Sequence, residues 1–176
     1  MPSASPASTR RAIVSISLIG LTVTQLACAT GRPGGPVFER LAPPNSSSTL
    51  VYIYRQDTQR GVDGAKLKLD GDKLVALRNG EYVAVVLDPG EHELSASLLW
   101  LGLIARSWNS LALTARGGET LYIKLWAATG AVAAPPGASE LPGRVDRGAE
   151  VGLYMSRVDT EEAQIDLRVT RRAQLR

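Results

Sequence analysis

The stretch "AKLKLDGDKLVAL", residues 65–77, decides the fold of this 176-residue chain. Lysine and leucine alternate in its first half, which is the period of a β-strand with one apolar face. Asp70-Gly71 then separates two such runs, and this dipeptide favours a two-residue hairpin turn. The stretch therefore predicts a pair of antiparallel strands.

Strand-like segments continue on both sides of this hairpin. In "TLVYIYR", residues 49–55, both faces are apolar, which predicts a strand in the centre of a sheet. The other segments are "EYVAVVL" (81–87), "EHELSASLLWL" (91–101), "WNSLALTA" (108–115), "TLYIKLWA" (120–127) and "EVGLYMSRV" (150–158). Short strands separated by turns are typical of an antiparallel sandwich or barrel, and we predict an all-β sandwich of about seven to nine strands.

A short helix is predicted near the C-terminus, over residues 160–170. Asp159 and Glu162 have the spacing of a capping box, and Val158 and Ala163 have that of a hydrophobic staple. The segment "IDLRV" also alternates, so a final strand is the competing prediction.

The chain before the first strand is rich in glycine, proline and serine. Residues 28–48 are therefore predicted to form a tether and an N-terminal arm. Phe38, the only phenylalanine, is expected to insert into the domain and end the flexible part.

The folded domain is predicted to span residues 49–170. It contains a long Ala/Pro/Gly loop at 128–149, which is unusual inside a compact domain. The basic end "RRAQLR", residues 171–176, is predicted to be solvated.

The first 27 residues have the features of a secretory signal peptide. Arg10 and Arg11 precede residues 12–27, which carry no charge, and Ala27 is small. The apolar run is shorter than the roughly 20 residues that a spanning helix needs.

Cys28 follows this signal and is the only cysteine of the chain. A lone thiol has no partner in an exported, oxidising compartment, whereas a thioether-linked lipid would consume it. The sequence resembles a bacterial lipoprotein signal here, although Gln25 stands where an aliphatic residue is usual. We predict lipidation of Cys28 and an exported lipoprotein held at a membrane, facing the periplasm or the cell surface. Ordinary cleavage nearby and an uncleaved anchor are the alternatives.

The charge balance argues against nucleic-acid binding. Residues 1–27 hold two of the 20 Lys and Arg residues and none of the 17 Asp and Glu residues, so the rest of the chain has a net charge of about +1. Nucleic-acid binding requires a basic patch or stripe. No nucleic-acid partner is predicted.

Several motifs in order resemble the bacterial family called domain of unknown function 2846. They are "FERLAPPNSSSTLVYIYR" (38–55), "LDGDKLVALRNGEYVAVVLDPGEHEL" (69–94) and "ARGGETLYIKL" (115–125). The likeness covers residues 36–126 and extends less closely over 150–170. It implies a secreted lipoprotein with a β-sandwich similar to modules of carboxypeptidase-regulatory or PEGA type, and it implies no catalytic residue.

His92 is the only histidine of the chain. A single histidine excludes a His-rich metal site and makes a Ser-His-Asp triad hard to build. We expect it to hydrogen-bond the backbone of the turn before it. No catalytic residue and no cofactor is predicted, and an enzyme is the least favoured function class.

Acidic residues lie at the predicted turns and could together bind calcium, but they lack the dense spacing of a dedicated site. Turn hydrogen bonding explains them more simply. They are Asp57, Asp63, Asp70, Asp72 and Asp88. No metal site is predicted.

The segment "LLWLGLIARSW", residues 98–108, is the most unusual of the chain. It has no polar side chain from 98 to 104 and departs from the family that the chain resembles. It could fold over the core as a long hairpin or form an exposed apolar patch that contacts a partner or a membrane. The contact residues would be Leu98, Leu99, Trp100, Leu101, Leu103, Ile104, Arg106 and Trp108.

Aromatic residues in the predicted strands could fill the core or stack on sugars. They are Tyr52, Tyr54, Tyr82, Tyr122, Trp126 and Tyr154. The favoured function is a lipid-anchored envelope module that binds or positions a protein partner without catalysis. A glycan- or peptidoglycan-binding module is the alternative.

Overall fold

Ten β-strands and one helix form in the part of the chain that the computed structural model describes, residues 34–42, 44–57, 62–100, 104–105, 108–129 and 151–174. The strands are β1 (Thr49–Arg55), β2 (Val62–Leu69), β3 (Asp72–Leu77), β4 (Glu81–Leu87), β5 (Gly90–Trp100), β6 (Ile104–Ala105), β7 (Asn109–Ala115), β8 (Thr120–Thr129), β9 (Val151–Arg157) and β10 (Arg171–Arg172). The helix α1 spans Thr160–Leu167.

The strands form two sheets that face each other. The first sheet has the order β10-β4-β1-β8-β9, and the second has the order β3-β2-β5-β6, with β7 also paired to β5. Buried side chains from both sheets form one core, so the predicted all-β sandwich is confirmed. One difference is that β1 pairs with β8, and β10 with β4, in parallel.

The central position predicted for β1 is confirmed, since β4 and β8 flank it and all seven of its residues are buried. Val51 and Ile53 point into the core between the sheets, while Tyr52 and Tyr54 belong to a second cluster on the outer face. Complete burial of an aliphatic side chain stabilises a fold by about 1.5–3 kcal/mol. β1 therefore contributes side chains to two apolar clusters, one on each face of its sheet.

Aromatic rings fill the second cluster, on the outer face of the first sheet. Tyr52 and Tyr122 stack with their centroids 5.5 Å apart. Phe38 of the arm meets Tyr52 edge-on at 5.5 Å and Tyr82 at 5.2 Å. The expected insertion of Phe38 is confirmed, and these tyrosines are core residues rather than a sugar-stacking surface.

Helix α1 covers the same outer face and begins as its capping residues predict. The Asp159 carboxylate accepts a hydrogen bond of 2.8 Å from the backbone N–H of Glu162. Ala163 and Leu167 are fully buried against the aromatic cluster. The helix prediction is confirmed, and the competing strand is wrong.

The hairpin between β2 and β3 turns at Asp70 and Gly71. Their φ angles are +52° and +87°, and both central residues of this turn class need positive φ. Asparagine, aspartate and glycine tolerate that conformation, which is why the dipeptide predicts the turn.

The basic end, residues 171–176, was predicted to be solvated, but part of its backbone is paired in a sheet. Arg171 and Arg172 have exposed side chains, but they pair with Glu81 and Tyr82 of β4. Val37 of the arm forms a bridge with Arg171 on the other side.

Some sequence predictions lie outside the described residues. They concern the signal peptide of residues 1–27, the lipidation of Cys28 and residues 130–149 of the long loop. These stay predictions.

Candidate functional site

The apolar segment at 98–108 is described in part. The β5–β6 pairing sets Leu99 opposite Ala105 and Trp100 opposite Ile104, so the backbone forms a hairpin. Leu98 is only 6% exposed and packs in the core, which removes it from the predicted contact surface. The side chains of Leu99, Trp100, Leu101, Leu103, Ile104 and Arg106 lie outside the described residues.

Trp108 is 40% exposed beside the outer face of the second sheet. The ammonium group of Lys68 lies 4.5 Å from the centre of its ring. In the strand register Lys68 is opposite Ser95, whose hydroxyl lies 2.9 Å from that of Ser110 and 3.0 Å from the Glu93 carboxylate. An exposed indole therefore adjoins hydrogen-bonding side chains that the buried Ser95 links from below. We call this surface the Trp108 face: Lys68, Glu93, Trp108 and Ser110.

A buried ion pair lies at the end of β1, and the sequence analysis did not identify it. Arg55 Nε donates to Asp57 Oδ2 at 2.7 Å, and the two side chains are 0% and 2% exposed. The same carboxylate oxygen accepts from the backbone N–H of Ala127 on β8 at 3.1 Å. Arg55 also reaches the Leu77 carbonyl of the second sheet at 3.5 Å, so the pair ties the two sheets together.

The turn before β4 closes over this pair. The Asn79 side chain donates to the Asp57 carbonyl at 2.6 Å and accepts from the Asp57 N–H at 2.9 Å. The Arg55 Nη2 atom is buried and has no hydrogen-bond partner among the described residues. Because the charges are buried and paired with each other, the arrangement is structural rather than a site open to substrate.

His92 links two turns, of which the sequence predicts only the contact with the turn directly before it. Its Nε2 atom lies 2.9 Å from the Asp88 carbonyl, and its Nδ1 atom lies 2.7 Å from the Asp70 carboxylate. The hydrogen bond with Asp70 is the main cause that raises the pKa of His92, and the same bond lowers the pKa of Asp70. Both ring nitrogens are engaged within the fold.

The Asp70→Asn variant should lower the pKa of His92 toward its ordinary value of 6.5, because the amide removes the charged acceptor. His92 is the only histidine, so one imidazole signal in an NMR pH titration reports the change. The matched control is Asp72→Asn, two residues away and exposed, which should leave the His92 titration as in the wild type. An unchanged His92 pKa in Asp70→Asn would contradict the assignment.

The same pair sets a pH window for stability. A raised pKa of His92 stabilises the folded state fully below about pH 6.5, and this contribution is lost as the pH rises through the folded-state pKa. A lowered pKa of Asp70 stabilises it above about pH 3.8, and this is lost as the pH falls through the folded-state value. The link is therefore strongest between about pH 4 and pH 6.5.

Among the described residues, no group of three or more His, Cys, Asp or Glu side chains could hold a metal ion. Asp57 forms an ion pair with Arg55, and Asp70 forms one with His92. The side chain of Asp63 lies outside the described residues.

A charged network fixes α1 to the first sheet. Lys124 of β8 lies 2.8 Å from Asp166 and 2.9 Å from Glu162. The Tyr54 hydroxyl donates to the Asp166 carboxylate at 3.0 Å, and burial together with that negative charge raises the pKa of Tyr54 well above its ordinary value. Burial alone would lower the pKa of Lys124, but the two hydrogen bonds raise it.

A shallow pocket of about 50 Å³ lies between the arm and the outer face of β4. We call it the arm groove, and it is lined by Pro36, Val37, Glu39, Leu41, Tyr82, Ala84 and Arg172. Val37 is 60% exposed and Leu41 is 40% exposed beside it. Val86, two residues beyond Ala84 on the same face of β4, is 65% exposed. The sequence analysis did not identify this surface, because "EYVAVVL" gives no sign of which residues its neighbours leave uncovered.

No protein-family model, no curated protein and no solved structure matches this chain. Within the described part of the chain, α1 is too short and too polar to cross a membrane, and no other helix there could do so.

Proposed function

We propose that this chain is an exported lipoprotein anchored through Cys28, whose β-sandwich binds or positions a protein partner in the cell envelope without catalysis. The uncharged run after Arg10 and Arg11, the small Ala27 and the single cysteine support export and lipidation. The ordered motifs that resemble the family called domain of unknown function 2846 support the same role.

A binding role is favoured over catalysis because the side chains that could act as acids or bases are bonded to other residues of the fold. His92 has both ring nitrogens engaged by neighbouring turns, and Asp57 neutralises Arg55 in the interior. General acid–base catalysis needs such a group within reach of a substrate proton. These residues instead hold the strands and turns in place.

The observation that carries the binding proposal is the exposure of Trp108. Tyr52, Tyr54, Tyr82 and Tyr122 are buried, whereas Trp108 is the most exposed of the aromatic side chains that the structure describes. Tryptophan is among the residues most enriched at the energetic centres of protein interfaces. Trp108 is also the last residue of the 98–108 segment, which is the most unusual segment of the sequence.

The test replaces Trp108 with the photo-crosslinking residue p-benzoylphenylalanine in the full chain, expressed in membranes. We expect irradiation to give one reproducible covalent adduct with a protein that mass spectrometry identifies in each replicate. The matched control places the same residue at Ile165, which is 61% exposed on α1 and therefore lies away from the Trp108 face. An absent adduct at Trp108, or the same adduct from both positions, would count against a protein partner at this face.

Glycan binding is the second candidate, because the Trp108 face combines an exposed indole with Lys68, Glu93 and Ser110. Sugars stack on an aromatic ring while hydrogen-bonding the polar groups around it. On this candidate, isolated peptidoglycan retains the full chain, and the Trp108→Ala variant loses that retention. Equal retention of both proteins, or none of the wild type, would exclude it.

A further inference from the structure

The edge of β4 that faces away from β1 is paired over only part of its length. The Tyr82 carbonyl accepts from Ala173 at 2.8 Å and the Gly80 carbonyl accepts from Arg171 at 2.9 Å, so even-numbered residues of this segment point toward β10. Odd-numbered residues therefore bond to β1, with which β4 pairs from Tyr82 to Leu87. By this alternation the N–H and C=O groups of Ala84 and Val86 also point outward.

The described part of β10 covers only the start of this edge. Its pairing with β4 ends at Arg172 and Tyr82. Ala173 still donates to the Tyr82 carbonyl, and Gln174 then lies against the arm, where its side chain donates to the Gly34 carbonyl at 3.3 Å. No described strand pairs with Ala84 and Val86 on this side, and uncovered strand edges are ready to pair with another chain.

Two other edges of the sandwich, β9 and β3, carry features that oppose such pairing. On β9 the Leu153 carbonyl is covered by the Asn109 side chain, which donates to it at 2.5 Å. On β3 the charged residues Asp72 and Lys73 are exposed. By contrast, β4 has no charged residue from Tyr82 to Leu87.

The uncovered edge and the arm groove are complementary to themselves under a two-fold axis. If two β4 strands pair antiparallel about Val85, Ala84 of each copy is opposite Val86 of the other, and each such pair exchanges two backbone hydrogen bonds. Directly opposite side chains share a face with their Cβ atoms about 5 Å apart. The exposed Val86 of one copy is then placed at the mouth of the other copy's arm groove, whose lining includes Ala84.

The position of the anchor also favours a second copy as the occupant. Only residues 29–33 separate Cys28 from Gly34, which lies beside Gln174 near this edge. The six Cα-to-Cα steps from Cys28 to Gly34 span at most about 20 Å, so a lipid on Cys28 keeps the edge close to the membrane. Confinement to a membrane raises the effective concentration of the copies for one another; this step rests on the proposed anchor, whereas the pairing geometry does not.

We propose that the chain forms a two-fold symmetric homodimer by antiparallel pairing of β4 with β4 of a second copy, centred on Val85, with Val86 of each copy seated at the arm groove of the other. The contact joins the two first sheets edge to edge. It leaves the Trp108 face, which lies on the second sheet, available to a different partner.

Cysteine crosslinking of the full chain in its membrane tests the register. In the proposed pairing the two Val85 Cα atoms are about 4.5 Å apart, within reach of a disulfide. Val83 points to the same face and is half-buried like Val85, but its two copies would be about 14 Å apart. With copper-phenanthroline as oxidant, Val85→Cys should give a covalent dimer, and the matched control Val83→Cys at least tenfold less.

A backbone variant tests the hydrogen bonds of the same contact. Ala84→Pro removes an N–H that points outward, a place where an edge strand tolerates proline. Added to Val85→Cys, it should reduce the covalent dimer at least tenfold while the monomer stays folded by circular dichroism. Equal crosslinking of Val83→Cys and Val85→Cys, an unchanged yield with Ala84→Pro, a covalent adduct to a different protein, or no crosslink at all would each overturn the proposal.

The wild-type chain under the same oxidation separates this inference from the proposed anchor. A dimer formed through Cys28 would show that its thiol is free, which contradicts lipidation. The Val85→Cys and Val83→Cys comparison is then made with Cys28→Ser, where it decides the β4 contact alone.

Discussion

We expect the Asp57→Ala variant to lose about 3–5 kcal/mol of its free energy of unfolding, as breaking a buried ion pair by removal of one partner does. Arg55 is 0% exposed, so without Asp57 its charge would stay in the interior with no anion. The Ala127 N–H would lose its acceptor as well. Domains are stable by only about 5–15 kcal/mol, so this is a large share of the total. Urea unfolding followed by tryptophan fluorescence measures it.

Two matched variants separate charge from hydrogen bonding in this pair. Asp57→Asn keeps an oxygen acceptor and removes the charge, so it should lose less stability than Asp57→Ala. Combining Asp57→Asn with Arg55→Met removes both charges, and the double variant should recover part of what Asp57→Asn loses. An Asp57→Ala protein within about 1 kcal/mol of the wild type would show that the pair does not hold the sheets together.

Much of the sandwich follows from local signals in the sequence. The Asp70-Gly71 turn needs positive φ, which few residue pairs tolerate, and both angles are positive. The apolar faces of β1 predict a central strand because both sides must be covered, and Asp159 predicts the start of α1 because the first N–H groups of a helix need an acceptor. Each of these depends on neighbours a few residues apart.

Pairings between distant segments could not be predicted in the same way. The alternation in "TLYIKLWA" is the same whether β8 runs parallel or antiparallel to β1, so the parallel pair was missed. A stretch of only two basic residues gives no sign that Arg171 and Arg172 form a strand. Strand direction and edge coverage depend on the topology of the whole sheet rather than on its local period.

The buried Arg55 was missed because a charged residue at a strand end is usually exposed. A usable signal was nevertheless present. Arg55 follows Val51 and Ile53 at the period of two that brings residues to one face, and Asp57 is the next residue of that series. An arginine that continues a core-facing row, with an acid two residues later, indicates an inward ion pair.

The second large effect is expected for the Cys28→Ser variant, which should be absent from the membrane fraction. Serine cannot form the thioether that holds the lipid, and each buried methylene of a lipid chain contributes about 0.8 kcal/mol to membrane affinity. Membrane fractionation followed by immunoblotting measures the result. The matched control is Thr30→Ser, which keeps Cys28 and should stay with the membrane. Equal membrane association of Cys28→Ser and the wild type would contradict the anchor.

The most direct test of a lipid-anchored module is the intact mass of the purified protein compared with that of Cys28→Ser. We expect the wild-type mass to correspond to a chain that begins at Cys28 and carries a lipid, and the variant to lack the lipid. A wild-type mass that corresponds to an unmodified Cys28, or to a chain that still contains residues 1–27, would contradict the account.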